Sequence, residues 1–194
     1  MTKNLLGALT APALAIGLGV AATPALGQAV DLNLNGESLR LNYSAPMPSF
    51  SARYELGGLI SDQGAVNVVQ THAGLLVTGD AGAAEANVTA GLGGRLVLLD
   101  ADTISGGGLA VGGVVEARLP AYNRLGMSSY LYWAPGASAF GDLAEHMEYA
   151  LSVDYDVIRN ASIYLGYRQI RVKLDAGPRL TAESGFHFGM RLRF

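Results

Sequence analysis

Three histidines, His72, His146 and His187, are the residues whose type best suits proton-transfer chemistry. An imidazole can take a serine proton when a third group orients it, and barrel-embedded lipases and deacylases use that arrangement. Ser184 lies on the same extended segment as His187. Their separation is odd, however, so on a strand the two side chains point to opposite faces. Neither His72 nor His146 has a same-face serine and carboxylate that the sequence brings together. The histidines are expected to be ordinary interior or loop groups, and the chain not to be an enzyme.

The carboxylate pairs Asp154/Asp156 and Asp100/Asp102 could serve acid/base work or hold a cation. No EF-hand spacing surrounds them. Asp100/Asp102 reads as a loop and Asp154/Asp156 as a strand face at a barrel mouth. The absence of cysteine excludes thiolate zinc sites, disulfides and cysteine nucleophiles. Gly106–Gly108 runs into Leu109-Ala-Val, without the Lys and helix start of a phosphate-cradling loop. It is read as a flexible external loop. No metal or cofactor is expected. Thirteen Lys plus Arg against 16 Asp plus Glu, with no basic cluster, exclude a nucleic-acid partner.

The elements that position these residues are strands. Apolar and polar residues alternate with period two, punctuated by Gly, Pro, Asn and Asp, and helical periodicity is scarce. At the C-terminus Ala182, Ser184, Phe186, Phe188, Met190, Leu192 and Phe194 share one face, opposed by Glu183, Gly185, His187, Gly189, Arg191 and Arg193. The same alternation covers 88–98, 109–119, 125–133 and 147–157, with weaker runs at 38–44, 51–61, 66–78 and 161–173. Asn35-Gly36 between Leu34 and Leu39 is a tight hairpin turn that would admit a short first strand from Val30.

Which face is inside decides the class. A soluble sandwich turns its apolar face to a core and frequent Lys and Glu to water. Here the other face is rich in Gly, Ala and Ser, and only 15% of residues are charged. Strands of about ten residues suit a tilted membrane crossing. Trp133, Tyr149, Tyr155, Tyr167 and Phe194 fall near strand ends, where interfacial aromatic girdles belong. The expectation is therefore an all-β, transmembrane antiparallel up-and-down barrel of about ten strands, with eight as the alternative.

Residues 1–27 read as a secretory signal peptide: Lys3, an apolar stretch from Leu5 to Ala22, then small residues, with cleavage after Gly27 or Ala29. The barrel would occupy 28–194 in a bacterial outer membrane. Both termini then face the periplasm, 119–124 and 158–161 form short periplasmic turns, and 99–108, 134–145 and 174–181 form outward loops. The segment 78–86 is long for a periplasmic turn.

On the polar face lie Arg95, Glu116, Arg118, Glu148, Asp154, Arg168, Glu183, Arg191 and Arg193. Isolated charges in a narrow lumen would be costly, so they should pair across strands, for instance Arg95 with Glu116. Such pairing argues against a wide channel, while a small pore lined by these charges stays open as an alternative. Gln169, Arg171 and Lys173 break the outward apolar face. Either they stand above the hydrocarbon, within reach of lipid phosphates, or a bulge turns Ile170 and Val172 outward instead.

The sequence resembles the YfaZ family of predicted outer-membrane proteins. The resemblance is carried by Ala90-Gly-Leu-Gly-Gly-Arg-Leu96, Gly107-Gly-Leu-Ala-Val-Gly-Gly113, Leu119-Pro-Ala-Tyr-Asn-Arg-Leu125, Tyr130-Leu-Tyr-Trp-Ala-Pro135, Phe140-Gly-Asp142, Glu148-Tyr149, Tyr164-Leu-Gly-Tyr-Arg168 and Gly185–Phe194. It implies an outer-membrane barrel of unassigned biochemical role and supplies no catalytic residue. Phe186, Phe188, Met190, Leu192 and Phe194 also look like the terminal strand signal that such barrels present to their assembly machinery. The partners expected are that machinery and outer-membrane lipids.

Overall fold

The computed structural model describes residues 27–62, 67–82, 87–101, 104–175 and 177–194. The proposed leader falls almost wholly outside them. The strands are β1 (Ala29–Leu34), β2 (Ser38–Pro46), β3 (Ala52–Ser61), β4 (Val68–Asp80), β5 (Asn87–Ala101), β6 (Ile104–Arg118), β7 (Leu125–Ala134), β8 (Ala139–Gly141), β9 (Leu143–Ile158), β10 (Ala161–Leu174) and β11 (Arg179–Arg193). Every ladder is antiparallel. Each strand from β1 to β7 pairs with the next, β7 pairs with β9, β9 with β10 and β10 with β11, and β1 pairs with β11 to close the ring.

Strand β8 does not add a wall position. β7 pairs with β6 over Val111–Arg118 and then leaves it through a 3-10 turn at Gly136–Ser138, after which β8 takes up the same edge at Gly106–Gly108. β7 and β8 therefore share one place in a ten-membered barrel, and the eight-strand alternative falls away. Closure satisfies the strand edges along the paired ladders, which an open sheet of this length could not do.

The alternation is realised as read. On β5, Leu92, Leu96 and Leu98 are exposed while Arg95, Val97 and Leu99 are buried. Gly27 N–H donates to the Phe194 carbonyl at 2.8 Å, so the described termini meet at one end of the barrel, as an even number of crossings requires. The turns 119–124 and 158–161 lie at that same end. Of the 78–86 segment, β4 claims the residues through Asp80, and 83–86 lie outside the described residues.

Four expectations are corrected. The segment 99–108 is not a loop: β5 continues to Ala101 and β6 begins at Ile104, so Asp100 is an outward strand residue and the Asp102 half of that pair lies outside the described residues. Gly106–Gly108 is strand because β8 and β9 press on it. A Cβ on Gly106 would stand 2.7 Å from the Phe140 carbonyl oxygen and 3.0 Å from Leu143 Cβ. The outward loops are shorter than expected at 134–145 and 174–181, since β9 starts at Leu143 and β11 at Arg179. Finally, Ala182 faces inward: the β10–β11 register slips between Ile170↔Glu183 and Arg171↔Thr181, and this bulge on β11 buries both Ala182 and Glu183. On β10 the parity is unbroken, with Ile170 and Val172 buried and Arg171 and Lys173 outside.

Gly93 and Gly112 face each other across β5 and β6 where the neighbouring strands come close. A Cβ on Gly93 would run into the Leu75 carbonyl, and one on Gly112 into the Leu131 carbonyl. Adjacent Gly94 has nothing nearer than the Ala110 oxygen at 3.7 Å. Gly93→Ala is therefore expected to cost about 1–3 kcal/mol through forced backbone shifts, and Gly94→Ala close to nothing. Urea unfolding of the two refolded variants checks this, and equal midpoints would mean that the wall yields at Gly93 without cost.

Candidate functional site

The lumen is filled in layers. At the end opposite the termini, Leu59, Val68, Leu99, Leu143, Ile170 and Val172 converge in one apolar cluster. Below it lies a polar network centred on Glu148, which β9 turns inward by its even parity and which is 0% exposed. Glu148 Oε1 accepts from the Arg40 guanidinium on β2 and from Tyr130 Oη on β7 at 2.7 Å. Oε2 accepts from Gln70 Nε2 on β4 at 3.1 Å and faces Arg95 Nη1 on β5 at 3.6 Å. Arg95 also donates through Nε and Nη2 to Glu55 Oε1, at 3.0 and 2.7 Å, and lies 3.8 Å over the Tyr132 ring. One carboxylate thus ties five strands across the barrel axis.

A second pair braces the wall where β1 is short. Arg168 on β10 makes a two-pronged contact with Glu183 at 2.8 and 2.5 Å, and its Nη1 donates to Asn33 Oδ1 at 2.9 Å. Ser38 Oγ donates to the same Glu183 at 2.6 Å. The bulge on β11 is what turns Glu183 inward to receive them. Nearer the termini, Arg118 bonds Asp154 at 2.8 Å and Asp156 at 2.6 Å, Arg193 reaches Asp156 at 3.1 Å, and Arg191 reaches Asp31 at 3.1 Å.

All nine charges read from the sequence therefore face the lumen in cross-strand pairs, but the example pairing is corrected. Arg95 is level with Ala110 and Glu116 with Thr89, in a register that runs up to Ala101 opposite Ile104. The two lie at different depths. Glu116 instead meets Arg53 at 3.4 Å, in a part-exposed pair. The partners missed from sequence are Asp31, Arg40, Arg53 and Glu55. Arg40 between Leu39 and Leu41, and Glu55 between Tyr54 and Leu56, carried the signal, since a charge flanked by outward apolar residues must point inward.

The histidines are dispersed in this packing. His146 Nε2 lies 3.1 Å from Gln70 Oε1, and His187 meets the Tyr164 ring edge-on at 5.7 Å between centroids. His72 is buried beside Gly57. Ser184 sits on the other side of the wall from His187, 3.0 Å from Tyr167 Oη. Asp154 and Asp156 are held by arginines rather than facing open space. Among the described residues, no group of three or more His, Asp or Glu is arranged to hold a metal ion. The described surface carries a cleft of about 250 Å³ at the terminal end, lined by Asn123, Arg124, Asp156, Ile158 and Arg159.

The C-terminal residues Phe186, Phe188, Met190 and Phe194 are exposed on the outer face of β11, with Leu192 half-buried beside them. No curated protein matches the chain. A solved chain from the work "Unveiling the Mechanism Behind the in-meso Crystallization of Membrane Proteins" aligns with 87% of this chain and 83% of its own, at 14% identity and a TM-score of 0.38. Residues 13–194 match the family model described as YfaZ precursor.

Proposed function

The chain belongs to the YfaZ family, and from its closed, apolar-sided barrel we propose an exported, integral outer-membrane protein that serves as a structural or interaction barrel rather than as an open pore. The supporting observation is the Glu148 network capped by the apolar layer. Arg40, Gln70, Arg95, His146, Glu148 and Tyr132 are each at most 4% exposed, so these side chains are packed away from water. A barrel interior that is solid at mid-height carries no solute, and its hairpins and outer rim are left as the working surfaces.

Export would put the termini and the short turns on the periplasmic side and the end where Ala101 pairs with Ile104 outward. In this reading Phe186–Phe194 is the strand that the assembly machinery engages, because its apolar side chains stand outside the wall. Catalysis is not part of the reading. His187 is 4% exposed beneath Tyr164 and presents no nitrogen to a lipid. The rival, a small pore for little solutes, requires both the Glu148 network and the apolar layer to part.

Planar-bilayer recording separates the two. The refolded protein, shown to be inserted by its heat-modifiable migration on gels, is expected to give no conductance steps. Reproducible steps from the wild-type protein would establish the pore reading instead.

A further inference from the structure

We propose that Arg171, Lys173 and Arg179 form an outward-facing site for the phosphate groups of a glycolipid in the outer leaflet. The inference rests on the membrane reading above and gives that barrel a specific lipid partner.

The three cations are brought together by register. Lys173 on β10 is level with Arg179 on β11, and Arg171 lies two residues below Lys173 on the same face. All three are exposed on the outside of the wall. Arg179 is 74% exposed and touches Glu145 at 3.5 Å; Glu145, which also accepts from Trp133 Nε1, is the cross-strand neighbour of Lys173, but among the described residues neither Lys173 nor Arg171 closes an ion pair with a carboxylate. The other arginines of the described strands point into the lumen or its terminal-end mouth, and Arg124 and Arg159 sit in the turns at that end. Outward-facing cations at the outer end are thus confined to one patch, in a chain whose formal charge is -3.

Their height fixes what they meet. Directly below Arg171 on the same face come Gln169, bonded to Tyr149, and then Tyr167, stacked edge-on against Phe186 at 5.5 Å. Below these lie Leu165 and Ile163, exposed and apolar. Apolar wall, aromatic belt and cations therefore follow one another along β10 in the order acyl chain, interface and headgroup. Two guanidinium groups and an ammonium at headgroup level match phosphate monoesters, which arginine can hold through two parallel hydrogen bonds. A free anion would meet the same charges without the aromatic belt below, so the belt favours a lipid as the source of the phosphate.

The test uses full-length mature protein refolded in detergent and titrated with lipid A, with lipid A stripped of its phosphates, and with inorganic phosphate. Binding is read by native mass spectrometry and by the temperature at which the unboiled gel band converts. The wild type is expected to bind the phosphorylated lipid and to convert at a higher temperature. The R171Q/K173Q/R179Q variant should migrate as a folded barrel yet bind at least 10-fold more weakly, since each cation near a charged surface adds to the attraction. Equal binding of the dephosphorylated lipid, an equal shift with inorganic phosphate, or undiminished binding by the folded variant overturns the proposal. Failure of the wild type to give a heat-modifiable band in detergent defeats the membrane reading itself, a distinct outcome.

Discussion

Glu148→Ala should destabilise the refolded barrel by about 3–5 kcal/mol, the cost of leaving a buried ion pair without one partner. The reason is arithmetic of charge in a place water does not reach. Arg40 and Arg95, 2% and 4% exposed, both lean on this carboxylate, and Gln70 and Tyr130 lose an acceptor at the same time. Glu55 still serves Arg95, but Arg40 would be left with only the neutral oxygens of Asn42 and Tyr130. Glu116→Ala is the matched control. Its carboxylate is 39% exposed and 3.4 Å from Arg53, so its loss should cost at most about 1 kcal/mol. Urea titration in vesicles, followed through the fluorescence of Trp133, the single tryptophan, reads both. Equal midpoints for the two variants would mean that water reaches Glu148, and the closed-lumen reading would go with it. The double variant Arg40→Met/Glu148→Leu should recover part of the loss, because well-packed apolar replacements spare both desolvation costs.

The contrast between Glu148 and Glu116 also shows how far the sequence could be read. Period-two alternation assigned both residues to the lumen, since parity is a local property that each strand carries by itself. Depth and partner are different matters. They depend on how each hairpin is set, and strands that run to Ala101 and resume at Ile104, where 99–108 was expected as a loop, fix a register that keeps Glu116 away from Arg95. The glycines at 106–108 misled for a similar reason. Glycine runs suit flexible loops, but here they make room for β8, a three-residue strand with no pattern of its own that forms only because β6 offers an edge. The bulge that turns Glu183 inward likewise leaves Ala182-Glu183-Ser184 looking like plain alternation. For Arg171 and Lys173 parity left the outward placement and a bulge both open, and the first holds because β10 stays regular through Ile170 and Val172.

The second large effect concerns the orientation of the whole wall. Phe188→Lys should cost about 2–4 kcal/mol and lower the folded yield, because position 188 faces outward at mid-strand. Phe188 is 53% exposed, and its cross-strand neighbours Leu34 and Leu165 are exposed and apolar as well. An ammonium there has no polar neighbour in register and must reach for the interface along its own stem. Ser152→Lys puts the same charge on the lumen face, where Ser152 meets Ser128 at 2.9 Å and Asp154 stands two residues further along the same side. It should fold in much higher yield. A third variant, Gln169→Lys, holds the outward face but moves to the aromatic belt, where the cost of a charge falls to about 0–1 kcal/mol. The expected order of folded yield in vesicles is Gln169→Lys above Phe188→Lys, with Ser152→Lys also above Phe188→Lys. In a water-soluble barrel the order reverses: Phe188→Lys would relieve an exposed aromatic and cost nothing, and the wild type would fold without lipid. Only an apolar surroundings outside the wall penalises the lysine at 188 while sparing the one at 169, so this depth dependence is what separates a lipid-facing wall from a merely sticky surface.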